Sequence, residues 1–155
     1  MHQRLKKTNL KLIAVISLAI IAISTAGGTL AALTANSNVG SSGAVNVSAN
    51  LGVYSDNNCN TPLTTINWGN LSAGGSITKT VYIKNTSSGL SLTLSMSTSS
   101  WSPTSANGPI TVTWDKENTR INPAQSVAAV LTLNVSPSIV DITNFSVQIN
   151  IAGTN

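Results

Sequence analysis

Past Leu33 the chain alternates apolar and polar residues with a period of two, and no segment there shows a convincing helical period. Successive side chains of a strand leave opposite faces, so this alternation marks half-buried strands. Val45, Val47, Ala49, Leu51 and Val53 share one face against Asn46, Ser48, Asn50 and Gly52, which predicts a single strand from Val45 to Val53. Leu63 to Trp68 is short and rich in β-formers. Ile77 to Ile83 places Val81 and Ile83 inward, with Lys79 on the same parity and therefore near an edge. Leu90, Leu92, Leu94 and Met96 alternate with Ser91, Thr93, Ser95 and Ser97. Ile110, Val112 and Trp114 form a further segment, as do Val127 to Val135 and Phe145 to Ile151. Polar or Gly/Pro-rich turn clusters separate them, among them Ser55 to Asn58, Gly69-Asn70, Ala73 to Gly75, Asn85 to Gly89 and Asn107 to Pro109. Seven strands, approximately, at this spacing predict an all-β, two-sheet sandwich, for which an immunoglobulin-like arrangement is one form.

The start of the chain follows another rule. Leu12 to Ile23 is an apolar run behind Arg4, Lys6, Lys7 and Lys11, and the small residues Ser24 to Gly28 follow it. That is the three-part layout of a helical secretory signal. Thr29 and Ala31 supply the small side chains read ahead of a cut between Ala31 and Ala32, with Ser24-Thr25-Ala26 as a second position. An uncleaved anchor is the alternative, because Leu12 to Leu33 is long enough to cross a bilayer. Gly27 and Gly28 interrupt that helix and favour cleavage. Asn36 to Gly43 is small, polar and Gly-rich, as a flexible linker is. The expected organisation is a signal over 1–31, a flexible tail over 32–43 and a sandwich domain over 44–155. The protein is then extracellular or on the cell surface, touching membrane only through the leader before cleavage.

Charge changes the picture chiefly by where it lies. The formal net charge is +4, yet after Leu33 Lys79, Lys84, Lys116 and Arg120 balance Asp56, Asp115, Glu117 and Asp141. The excess belongs to the leader, so no basic patch remains to neutralise phosphates, and nucleic acid is not an expected partner. His2 is the sole histidine, and it lies in the leader. The mature chain therefore has no histidine base or metal ligand, and no enzyme activity or cofactor is expected. Asp115 and Glu117 read as a charged turn rather than a catalytic carboxylate pair, and Asp56 to Asn60 as a polar turn rather than a calcium loop. Cys59 is the only cysteine, which leaves a partly buried inert thiol or a link between two chains. Tyr82 is expected to face outward, and a lone outward tyrosine is usually a cross-strand contact.

Asn46, Asn70, Asn85, Asn134 and Asn144 each open an N-glycosylation sequon. By parity, Asn46, Asn134 and Asn144 point out of their strands, and the other two fall in turns. Covalent N-glycans are therefore candidate partners.

Gly27-Gly28-Thr29-Leu30-Ala31-Ala32-Leu33 resembles the signal junction of the TasA/camelysin family of secreted fibre proteins, with Leu30 and Leu33 where aromatics are usual. Gly43 to Ala49 sits where that family has its first strand. Leu71 to Asn85 resembles its turn, strand and Lys-Asn pattern, with Ala73 in place of proline. The chain is also similar to small exported archaeal sandwich proteins, some of which build pili or threads. The resemblance implies a jelly-roll-like sandwich that forms a homopolymer by strand donation. The residues add a reason of their own: open strand edges invite another chain, and the strands here carry few charges to blunt them. Leu33, Ala35, Val39, Val45 and Val47 are the candidate polymerisation residues, supplied by the tail and the first strand. The expected function is an extracellular structural subunit of a pilus, thread or matrix fibre. The alternative is a monomeric adhesive or carbohydrate-binding sandwich at the cell surface.

Overall fold

The cleanest alternations in the sequence become the inner faces of two packed sheets. The computed structural model describes residues 39–48 and 50–155. The regular structure is almost entirely strand: β1 (Val39–Val47), β2 (Leu51–Tyr54), β3 (Thr65–Leu71), β4 (Ser76–Asn85), β5 (Leu92–Ser102), β6 (Ile110–Trp114), β7 (Arg120–Ile121), β8 (Ser126–Val135) and β9 (Asn144–Thr154). One sheet runs β3-β1-β9-β5-β7 and the other β2-β4-β8-β6. The strand pairs are antiparallel, apart from β1 with β9, which run parallel.

The core lies between the sheets. Phe145, Val147, Ile149 and Ile151 enter from β9, and Ala129, Leu131, Leu133 and Val135 from β8, all buried. Val81 and Ile83 of β4 and Leu94 of β5 join them on the parity the sequence predicts. Trp68, from β3, is fully enclosed. Burial of these side chains, each contributing about 1.5–3 kcal/mol, is the main stabilising term in a domain with no disulfide among the described residues.

Four expectations are corrected. The described residues form nine strands rather than seven. The predicted strand from Val45 to Val53 is two strands in different sheets. The chain turns near Asn50, whose φ is 68°, and Leu51 N–H donates to Ser48 O at 3.3 Å. The same parity faces the core on both sides of the corner, at Gly43 and Val45 before it and at Leu51 and Val53 after it, so the alternation does not record the change of sheet. The other added strand, β7, has two residues and is too short to leave a period.

The third correction is in β3, which occupies Thr65–Leu71 rather than Leu63 to Trp68. Gly69 is no turn between strands. Its φ of 80° serves a bulge, where Ser41 pairs with Gly69 and the next residue, Ser42, with Asn67. The fourth is Leu90, which is 49% exposed because β5 begins only at Leu92. At the other end of β5, a second irregularity between Ser99 and Ser102, with Ser100 at φ 52°, switches the parity. It turns Trp101 inward to stack on Phe145 at 6.0 Å.

Candidate functional site

The first strand is the element on which the sequence places most of the candidate residues. Val39 to Gly43, expected in the flexible tail, forms the first half of β1. Of the other candidates, Ala31, Ala32, Leu33 and Ala35 lie outside the described residues. β1 is an inner strand: Gly40 to Ala44 pair with β3 on one side, and Gly40 to Val47 with Asn144 to Ile151 of β9 on the other. Its side chains contribute little to this seat. Val45 is half-buried against the core, Val47 is 38% exposed, and the residue buried deepest is Gly43.

Gly43 is needed for space. A Cβ there would stand 3.1 Å from Trp68 Nε1 and 3.4 Å from Ile149 Cδ1. The indole and the isoleucine already fill the room under β1, so the strand is held mainly by main-chain hydrogen bonds. Trp68 Nε1–H is buried with no hydrogen-bond partner among the described residues. Gly43→Ala is expected to lower stability by about 1–2 kcal/mol through overpacking. A urea midpoint equal to that of the parent protein would show the space to be looser than described.

The open edges of the two sheets are unequally protected. On one side, residues 117–121 cover β5. Arg120 and Ile121 pair with Thr93 and Leu92, Leu94 N–H donates to Thr119 O at 2.9 Å, and Met96 N–H donates to Glu117 Oε2 at 3.1 Å. Trp114 Nε1–H reaches the same Glu117 oxygen at 2.7 Å. Where β6 stops pairing with β8 at Trp114, Val130 N–H donates to Asp115 Oδ1 at 2.8 Å. Partial burial raises the Asp115 pKa, but the Lys116 ammonium at 2.7 Å and the Val130 N–H outweigh it and leave the carboxyl below its usual range. Asp115 and Glu117 are thus engaged with different strands, as edge caps rather than a facing pair.

On the opposite side residues 61–63 fold back along β2, with Leu63 N–H donating to Val53 O at 2.8 Å, but β3 and the first part of β4 have no such cap among the described residues. β3 has β1 on one flank only, and β2 covers just Tyr82 to Asn85 of β4. Ser76 to Val81 of β4 therefore keep one side open, in line with the edge position expected for Lys79. A groove of about 200 Å³ runs between these two edges, lined by Leu63, Ile66, Val81 and Lys79.

The sequon asparagines separate into two kinds. Asn46, Asn70, Asn134 and Asn144 are exposed. Asn85, read from the sequence as a turn residue, is the last residue of β4 and is fully buried. Its Nδ2 donates to Leu90 O at 2.7 Å and to Ile121 O at 3.3 Å, and its Oδ1 accepts Ser87 N–H at 2.9 Å. In the folded domain this side chain ties the β4–β5 turn to β7.

The Asp56 turn is likewise self-contained. Its carboxylate accepts Thr61 N–H at 2.7 Å, Asn60 N–H at 3.1 Å and Asn58 N–H at 3.0 Å. These bonds, led by the one from Thr61, hold the carboxyl below its ordinary value. Cys59, half-buried with φ 55°, sits in the same loop. The chain matches no protein-family model and no curated protein sequence.

Proposed function

We propose that this chain is an exported structural subunit of a cell-surface filament, in which β1 of one copy seats between β3 and β9 of the next. The observation that carries the reading is the position of β1. It is the first strand described, yet it lies inside a sheet and is held on both flanks by main-chain pairing, with few apolar anchors among its described side chains. The bonds such a strand gives up on leaving its own slot are made again when an identical strand from a neighbour meets the same donors and acceptors. Exchange from an N-terminal segment is head-to-tail and does not close, so it yields filaments rather than dimers.

Leu33 and Ala35 precede β1 and lengthen the donated segment. Export through the leader, with a cut between Ala31 and Ala32, belongs to the same proposal. So do a jelly-roll or immunoglobulin-like arrangement of the sheets and N-glycans on Asn46, Asn70, Asn134 and Asn144. The reading as a monomeric surface adhesive draws on one observation, a pair of outward tyrosines on the second sheet.

Electron microscopy of the exported protein tests the proposal. Long ordered polymers are expected from the parent chain. Deleting Ala32 to Gly43, which removes the tail and half of β1, should abolish them. Polymers at the parental level from the deleted chain would overturn strand exchange.

A further inference from the structure

The outer face of the second sheet carries a group of residues that neither the core nor strand exchange uses. Tyr54 of β2 lies directly opposite Tyr82 of β4, and Gly52 lies opposite Lys84. These residues occupy the outward parity, since Leu51, Val53, Val81 and Ile83 between them are buried. Both tyrosines and Lys84 are partly exposed.

The Tyr54 side chain lies back along its own strand. A Cβ built on Gly52 would meet Tyr54 Cε2 and its hydroxyl oxygen at 2.5 Å and Cζ at 2.7 Å. The ring therefore rests across the Gly52 backbone, along the sheet surface. On the far flank of β4, Tyr82 neighbours Ala128 and Lys84 neighbours Ser126, and on the outer flank of β2 the exposed Pro62 bridges to Tyr54, so compact side chains border the pair. The result is one tyrosine laid along the sheet surface towards Lys84, with a second tyrosine opposite it on the neighbouring strand.

Its charge is one-sided. Lys84 has no carboxylate partner among the described residues, where the one ion pair joins Lys116 and Asp115. Asp56, which follows Tyr54 closely in the chain, has both oxygens committed to the N–H groups of its own turn. A ligand that fits offers a flat C–H face to the rings and an anion to the ammonium. A pyranose ring bearing a carboxylate has both.

We propose that Tyr54, Tyr82 and Lys84 form a binding platform for acidic polysaccharide. A uronic acid ring stacks on the tyrosines, and its carboxylate pairs with Lys84. Stacking supplies sequence-tolerant apolar contact, and the exposed ion pair makes the affinity depend on salt.

Calorimetric titration of the exported protein with oligogalacturonates, against cello-oligosaccharides as the neutral probe, tests this. The acidic probe should bind more tightly, and its affinity should fall as salt rises. Tyr54→Ala and Tyr82→Ala should each weaken it by about tenfold. Lys84→Gln should weaken it and flatten the salt dependence, and Tyr54→Phe should retain it. In case an alanine variant does not fold, ring-proton NMR of the parent protein gives a second readout: the titration should shift the Tyr54 and Tyr82 signals. No binding of the acidic probe, equal binding of both probes, full affinity in a folded alanine variant, or shifts confined to other residues would each overturn the proposal.

Discussion

With Ala44→Cys and Thr65→Cys introduced into a Cys59→Ser background, oxidised filaments will give a covalent ladder on a denaturing gel. Oxidised free monomers will stay at monomer size. The pair is chosen from the register. Ala44 of β1 faces Thr65 of β3, both exposed, and Val45 N–H donates to Thr64 O at 2.9 Å. That bond puts Ala44 and Thr65 in the non-hydrogen-bonded phase of an antiparallel pair, where Cα atoms stand about 4.5 Å apart, inside the span a disulfide accepts. Removing Cys59 leaves no other thiol in the chain.

The two states then answer differently to one reaction. If β1 sits in its own domain, the crosslink is internal and locks the strand at home. Such a monomer should fail to join filaments until reductant releases it. If β1 sits in the next subunit, the same crosslink joins chains, and the ladder counts them. Filaments that oxidise fully but run only as monomers would show that β1 stays at home in the polymer. The strand-exchange proposal would then fall, even though a filament exists.

What the sequence makes legible, and what it hides, follows from the length of each regular segment. β8 and β9 alternate over ten and eleven residues, and their inward sets are the ones the pattern names. A long period-two run leaves a single choice of face, since a one-residue slip would bury Asn134 or Ser146 and expose leucine or isoleucine. The β1–β2 corner misleads because both strands present the same parity to the same core from opposite sheets. Nothing in a hydrophobic pattern records a change of sheet; the mark here is the backbone at Asn50.

The bulges hide for a related reason. Ser99 to Ser102 is uniformly small and polar apart from Trp101, so the added residue shows only in the inward turn of that tryptophan. At the candidate site the sequence makes the uncharged first strand legible, but not the part its glycines play. Gly40 and Gly43 read as linker residues, but Gly43 is the contact point of a packed strand whose partner Trp68 lies elsewhere in the chain. The same holds for Tyr54, which only the register places opposite Tyr82.

Asn85→Ala will lower the stability of the folded domain by about 3 kcal/mol. The side chain is fully buried, and its removal takes a partner from Ile121 O and Ser87 N–H at once, while Leu90 O keeps the Ser87 hydroxyl at 2.7 Å. Each buried group left without a partner costs about 1–3 kcal/mol. Partial hydration near the half-open turn reduces the sum, and the Asn85 backbone keeps its own bond to Gln125 O at 2.9 Å. Against a total of about 5–15 kcal/mol for a domain, the loss is a large fraction. Asn85→Gln retains the amide but adds a methylene where there is no space, so it should cost about 1–3 kcal/mol by overpacking. Asn144→Ala, at an exposed sequon, should change stability by less than about 0.5 kcal/mol. Urea unfolding of the three variants gives the order, and intact mass of the exported proteins gives the second half of the test. Asn85→Ala should move the midpoint and leave any glycan mass unchanged. A variant that keeps the parental midpoint while losing the mass of a glycan would make Asn85 an acceptor after all, and the burial described here would not be that of the exported protein.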